Sequence, residues 1–288
     1  MRRQSTNLLY SLNEHRLGIL VGIVGLGAML VSLFSYYLAT SHAIVSPAAD
    51  EQLQFPAMAT LTAFLFGLGS IAYGVHLLLH QEWRRQRSGE KVSESSFAVL
   101  TRAVCSQPYN FFFAISALLY AVLFSLLSGI LVYQPNLDMT EGLGVATPSA
   151  FLVTCCDPLG QTPRLVVYLT SHLGILVVPL NIALLAGTSW MVGANVSLAG
   201  FAYQTKTVTG RLKWLGSFGA TTGLLTACPT CASLILLGAT GGGDALAALL
   251  ASAQPAFVAG TIGLLTLNLV LMTRRLRKFE ACNLPIKY

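Results

Sequence analysis

Residues 17–39, LGILVGIVGLGAMLVSLFSYYLA, contain no charged side chain. A helix of this length is about 35 Å long, which exceeds the roughly 30 Å of hydrocarbon in a bilayer. The stretch therefore predicts a transmembrane helix. A basic segment precedes it, but the run is longer than the apolar region of a signal peptide and no clear small-residue cleavage site follows, so we expect it to be retained.

Uncharged runs of this kind recur along the chain. Of its 288 residues, 54% are hydrophobic and only 10% are charged, whereas soluble domains are about a quarter charged. We predict an all-α, polytopic membrane protein with six transmembrane helices, forming a single domain over residues 1–288. The predicted spans are residues 17–39, 55–80, 110–133, 165–191, 215–239 and 245–272.

The distribution of basic residues predicts the orientation. If both termini are cytoplasmic, every one of the 17 Lys and Arg residues except Arg164 lies on the inner side, as the positive-inside rule requires. We therefore predict a multi-pass protein of the cell membrane with cytoplasmic termini. The net charge of +6 then reflects topology and contact with the lipid bilayer, and does not indicate a nucleic-acid partner.

Two thiols lie inside the fifth run, in LLTACPTCASLILL, residues 224–237. Cys228 and Cys231 are three residues apart, so on a helix both sulfurs face the same side. Pro229 between them lacks a backbone donor and loosens the preceding turn. A helix break inside a bilayer is tolerated where it is buried in protein or lines a cavity, so the motif predicts a site within the membrane.

Four further side chains are candidates to assist this pair. Cys155 and Cys156 lie in the predicted outer loop 134–163, which is too small to be a domain with its own core. His172, on a helix through residues 165–191, would be about 12 Å inward from Arg164. At this depth it would share a layer with Cys228 and Cys231. Gln254, on the sixth helix, would reach the same layer.

Three functions fit this layer. Thiolates and imidazole suit Cu(I) or Zn(II), so the first is binding or transfer of a soft metal, most favourably copper, with Cys228, Cys231 and His172 as ligands and Cys155 and Cys156 as the outer receiving pair. The second is thiol-disulfide exchange by the same cysteines. The third is a non-catalytic subunit whose cysteines pack as small apolar residues. The partners would be an extracytoplasmic metal or thiol carrier, or other membrane subunits.

Short segments resemble known thiol-bearing membrane proteins. CPTC resembles the intramembrane Cys-Pro-Cys of copper-pumping ATPases, with one extra residue and none of their phosphorylation or nucleotide domains. TACPTCASLILLGATGGG and TCCDPLG are similar to the paired-cysteine helix of small mercury-uptake proteins. The overall plan, an intramembrane Cys-x-x-Cys with outer-loop cysteines, resembles the quinone-coupled disulfide-forming enzymes. These resemblances imply metal or thiol chemistry.

Other features carry weaker expectations. Phosphate-binding Gly-Lys, His-Glu-x-x-His and Gly-x-Ser-x-Gly motifs are absent, which favours a function other than enzymatic hydrolysis. The inner loop is predicted to carry a short surface helix around Ser95 to Val104. His76 and His80 are four residues apart, a spacing that binds metals but also occurs at membrane edges. Asn268 is expected to bridge helices.

Overall fold

The computed structural model describes residues 2–41, 47–88, 95–133, 135, 144, 146–153, 162–204 and 244–282. This part of the chain is mostly helical. The helices are α1 (Arg2–Ser41), α2 (Pro47–Arg87), α3 (Ser96–Cys105), α4 (Tyr109–Leu127), α5 (Pro179–Gln204) and α6 (Asp244–Cys282). The strands are β1 (Leu131–Tyr133), β2 (Ser149–Val153), β3 (Arg164–Thr170) and β4 (Leu173–Val177).

Four of these helices are long and apolar enough to cross a membrane, namely His15–Thr40, Leu53–Arg87, Tyr109–Leu126 and Pro179–Gln204. The predicted character of a helical membrane protein is confirmed at this level. The first three predicted runs fall within α1, α2 and the α4–β1 segment, and the sixth within α6. The fifth run, residues 215–239, lies outside the described residues, so six spans and cytoplasmic termini stay predictions.

The prediction of one helix through residues 165–191 is wrong for its first half. Residues 164–177 form β3 and β4, joined by a turn at Ser171 and His172, and helix α5 begins only at Pro179. The run is rich in Val, Leu, Ile and Tyr, which pack well in strands. A continuous apolar run cannot be assigned to strand or helix from periodicity, and proline at the first helical position is a common helix start.

The strands form an antiparallel sheet in the order β1-β4-β3-β2. Strand β3 pairs with β4 from Leu165 opposite Val177 to Thr170 opposite Leu173, with an irregularity between Tyr168 and Thr170. The predicted all-α fold did not include this sheet. Since it includes residues 164–177, the segment between α4 and α5 is larger than the loop 134–163 predicted from the sequence.

The described residues divide into two units, of which the first comprises Met1–Gln81 and Gly129–Leu184. In it, α1 and α2 approach through glycines. A Cβ atom added at Gly25 would lie 2.6 Å from the carbonyl oxygen of Gly67, and one added at Gly74 would lie 2.7 Å from that of Gly18. The contacts are antiparallel in register, because residue numbers rise along one helix as they fall along the other. Small residues allow such backbone contact between membrane helices.

The second unit comprises Glu82–Ser128 and Leu185–Tyr288, and α3 lies in its core. The helix predicted near Ser95 to Val104 is confirmed, but its expected surface position is wrong. Ser95 caps the helix by accepting a hydrogen bond from the backbone N–H of Ala98 at 3.1 Å. Val99 and Ala103 are buried with Leu198 and Leu276 from the helices around them. The apolar face of α3 thus packs on other helices.

Candidate functional site

The four cysteines of the predicted site lie outside the described residues. These are Cys155, Cys156, Cys228 and Cys231. The structure places the elements around the first pair and the third predicted ligand, His172. The geometry of the candidate site therefore comes from these neighbouring elements and from the other polar groups of the described chain.

His172 lies in the turn between β3 and β4. Its side chain is half-buried, and its backbone N–H donates to Oγ1 of Thr170 at 3.4 Å. The turn is only two residues long because β3 and β4 pair directly on either side of it. His172 is therefore an imidazole at the end of a β-hairpin, and it does not lie on a transmembrane helix.

Because His172 is not on a helix, its predicted depth beside Cys228 and Cys231 does not follow. A helix would rise only about 1.5 Å per residue. A strand rises about 3.4 Å per residue, so β3 alone carries the chain roughly 20 Å from Arg164 to Thr170. The depth agreement with Cys228 and Cys231 came from the wrong rise per residue.

The pairing of β2 with β3 locates the ends of the segment that contains Cys155 and Cys156. Val153, the last residue of β2, is opposite Arg164, the first residue of β3. The chain between these two paired residues includes both cysteines. His172 follows the other end of β3, about 20 Å away along the strand. The segment that contains Cys155 and Cys156 and the residue His172 are thus connected to opposite ends of one strand.

Within the part of the chain that the structure describes, no group of three or more His, Cys, Asp or Glu side chains is arranged to hold a metal ion. A site with three such ligands would therefore need at least one His, Cys, Asp or Glu side chain outside that part. A site based on Cys228 and Cys231, which lie outside the described residues, stays a prediction.

Cys105 lies at the end of α3. It packs against a cluster formed by Leu100, Val104 and Ala194. Burial in this apolar setting raises the pKa of the Cys105 thiol above its usual value. Because the thiolate is the reactive form, this cysteine is protonated and unreactive at neutral pH. Such a thiol fits packing better than redox exchange or metal capture.

We expect Cys105 to alkylate with a pH midpoint above that of the same thiol in the unfolded chain. Burial penalises the thiolate, so the folded protein holds the proton to higher pH. Peptide mass spectrometry would follow iodoacetamide labelling of Cys105 between pH 7 and pH 10, with the SDS-denatured protein as control. The midpoint reports the pKa separately from access, which changes only the rate. Equal midpoints in native and denatured protein would contradict the expectation.

Side-chain hydrogen bonds connect α5 and α6, and the sequence predicts only one of the two asparagines that form them. Asn268 donates from Nδ2 to Oδ1 of Asn195 at 3.0 Å, so its expected bridging role is confirmed. The buried Asn195 donates in turn to the carbonyl oxygens of Met191 at 2.9 Å and Leu265 at 3.4 Å. Sequence reasoning missed Asn195, although its position in an apolar helix was the available signal. These bonds join α5 to α6 and stabilise helix packing.

Comparison of the chain with protein-family models, curated proteins and solved structures finds no match.

Proposed function

We propose that this chain is a multi-pass protein of the cell membrane that binds or transfers a soft metal ion, most favourably copper, through Cys228 and Cys231. The observation that carries the proposal is a Cys-Pro-Thr-Cys motif inside an uncharged run of membrane-spanning length. The four candidate membrane helices support its setting. The arginines in the last turn of α2, Arg84, Arg85 and Arg87, support an orientation with cytoplasmic termini.

The chemistry of the motif favours copper. Soft thiolates select Cu(I) among the common biological metals, and two cysteines three residues apart on a helix are close enough to bind one ion. Pro229 would free backbone groups beside them and widen the helix locally. Polar and ionisable side chains inside a membrane are costly and usually functional, which favours a site over simple packing for a cysteine pair with an intervening proline.

Cys155 and Cys156 act in this proposal as the receiving pair on the extracytoplasmic side. Their segment is attached to an antiparallel sheet through the paired residues Val153 and Arg164. A sheet of four strands is a more rigid support than an open loop, and it restricts where its connections begin and end. His172, at the far end of β3, would be a ligand belonging to the sheet and would meet the ion away from that pair.

The test is the metal content of the purified full chain in mild detergent, measured by elemental mass spectrometry. We expect near-stoichiometric copper in the unmodified protein and background copper in the Cys228→Ser, Cys231→Ser variant. Cys105→Ser is the matched control, because it removes a half-buried packing thiol and should leave copper unchanged. If His172 is the third ligand, the His172→Ala variant should retain less copper than the unmodified protein in the presence of a chelator. Absence of copper and zinc from the unmodified protein would refute the proposal.

A second function, membrane thiol-disulfide exchange, is favoured by the presence of two separate cysteine pairs. In this function a Cys228–Cys231 disulfide would take two electrons and two protons from a dithiol carrier and become a dithiol. A membrane quinone would then accept the same two electrons and two protons to restore the disulfide. Thiol mapping by mass spectrometry before and after mild reduction distinguishes this function, because it requires a gain of two free thiols at Cys228 and Cys231. If the protein contains neither a bound metal nor a Cys228–Cys231 disulfide, the remaining function is that of a non-catalytic subunit.

A further inference from the structure

Two histidines that the proposed function does not use lie on α2. His76 and His80 are one helical turn apart, and both side chains are exposed. Their rings stack with centroids 5.9 Å apart and planes inclined by only 25°. The two imidazoles therefore extend in the same direction from one face of the helix, side by side.

The position of this pair in a candidate membrane span is unusual for two ionisable side chains. Both fall within Leu53–Arg87. Ionisable side chains are rare in membrane helices, and here two of them occupy the same face one turn apart near the end of the span.

The depth of the pair leaves it within reach of ions from water. Trp83 and Arg87 follow on the same helix, with the Arg87 guanidinium 5.3 Å from the ring centre of Trp83. Aromatic and basic side chains of this kind anchor a helix at the membrane surface. Along the helix axis His80 is about 4.5 Å and His76 about 10 Å from Trp83. The imidazoles thus lie at the edge of the hydrocarbon and do not reach its centre.

We infer that His76 and His80 bind one borderline divalent ion, of which Zn²⁺ is the representative, through one nitrogen from each ring. Two histidines at i and i+4 on one helix face are the arrangement by which helical zinc sites hold their ion. Imidazole suits divalent zinc, nickel and copper, whereas thiolates select Cu(I). No third His, Cys, Asp or Glu joins them among the described residues, so water completes the coordination. The site does not depend on the proposed function of Cys228 and Cys231.

Zinc titration of the full chain in detergent tests this inference, with a chromophoric chelator as competitor. The protein carries Ser in place of Cys155, Cys156, Cys228 and Cys231, so that the thiols of the proposed function contribute nothing to the result. We expect the protein to bind one Zn²⁺, and we expect His76→Gln and His80→Gln each to lower the affinity for it. Loss of a residue that only orients a ligand typically weakens binding by 10–100-fold, so loss of either imidazole should weaken it at least about tenfold.

Two control variants isolate the spacing from the histidine content. His15→Gln removes an exposed histidine of α1 and should leave zinc binding unchanged. The pair His80→Ser with Ser88→His keeps the composition but destroys the i, i+4 spacing, and it should bind no better than His80→Gln. Size-exclusion chromatography confirms that each variant is folded. Zinc binding unaffected by His76→Gln, or absent from the protein with both histidines, would overturn the inference whatever the copper experiment shows.

Discussion

Gly25→Ala and Gly67→Ala should each destabilise the protein by about 1–3 kcal/mol, the usual cost of overpacking a well-packed site. At either position the new Cβ would lie 2.6 Å from the carbonyl oxygen of the other glycine. A backbone atom cannot rotate away as a side chain can, so α1 and α2 must separate along the contact. The separation loses close packing, which together with interhelical hydrogen bonds holds membrane helices to each other.

Gly27→Ala in α1 and Gly69→Ala in α2 are the matched controls. A Cβ added at either position meets nothing within 4 Å. Alanine is the better helix former by about 1 kcal/mol, so these variants should be neutral or slightly stabilised. The double variant Gly25→Ala, Gly67→Ala should cost less than the sum of its parts, because the first substitution already opens the contact that the second would crowd.

Thermal unfolding in a single detergent, followed by circular dichroism, measures these differences for all variants. The expected order places Gly25→Ala and Gly67→Ala below the unmodified protein, and Gly27→Ala and Gly69→Ala at or above it. If all four alanine variants unfold at the same temperature, then α1 and α2 are not in direct contact at Gly25 and Gly67.

Leu198→Ala should destabilise the protein by about 2–5 kcal/mol, the range for removal of a large apolar side chain from a core. Leu198 is 0% exposed. It packs where α3, α5 and α6 meet, together with Val99, Ala103 and Leu276. Inside a bilayer the lipid-facing surface gains nothing from hydrophobic transfer, so packing carries more of the stability. The cavity left by alanine removes those contacts directly.

Leu267→Ala in α6 is the matched control for Leu198→Ala. Leu267 is 54% exposed, so its truncation leaves no enclosed cavity and should change stability by less than about 0.5 kcal/mol, as for surface substitutions in general. Denaturation in graded SDS at constant mild detergent gives the two midpoints. Equal midpoints for the two alanine variants would show that α3 and α5 do not form the packed core described above.

Much of the helical framework was predictable, because length and charge are enough to recognise a membrane helix. Residues 17–39 and 55–80 are uncharged runs of spanning length, and both lie within helices of the structure. A chain in hydrocarbon must satisfy its backbone hydrogen bonds internally, and a helix does so without any distant partner. The local sequence is therefore sufficient to predict these elements.

The segment around His172 was not predictable for the opposite reason. Strands β3 and β4 obtain their backbone hydrogen bonds from each other and from β1 and β2, and those partners are distant in sequence or separated by a turn. An apolar run such as residues 165–177 is compatible with either structure. The error carried into the site, because the depth of His172 was calculated from the helical rise.

The sequence by itself predicted long apolar helices of membrane-spanning length, of which the structure describes four, and it showed the paired thiols Cys228 and Cys231 within one motif. The helix prediction follows from the free energy of transferring each residue between water and lipid, which is a local property of the sequence. Only the tertiary structure decided that α3 is buried, that Asn195 bonds to Asn268, and that α1 touches α2 at Gly25 and Gly67. Each of these depends on which surfaces meet in space, and that is a property of the packed helices as a set.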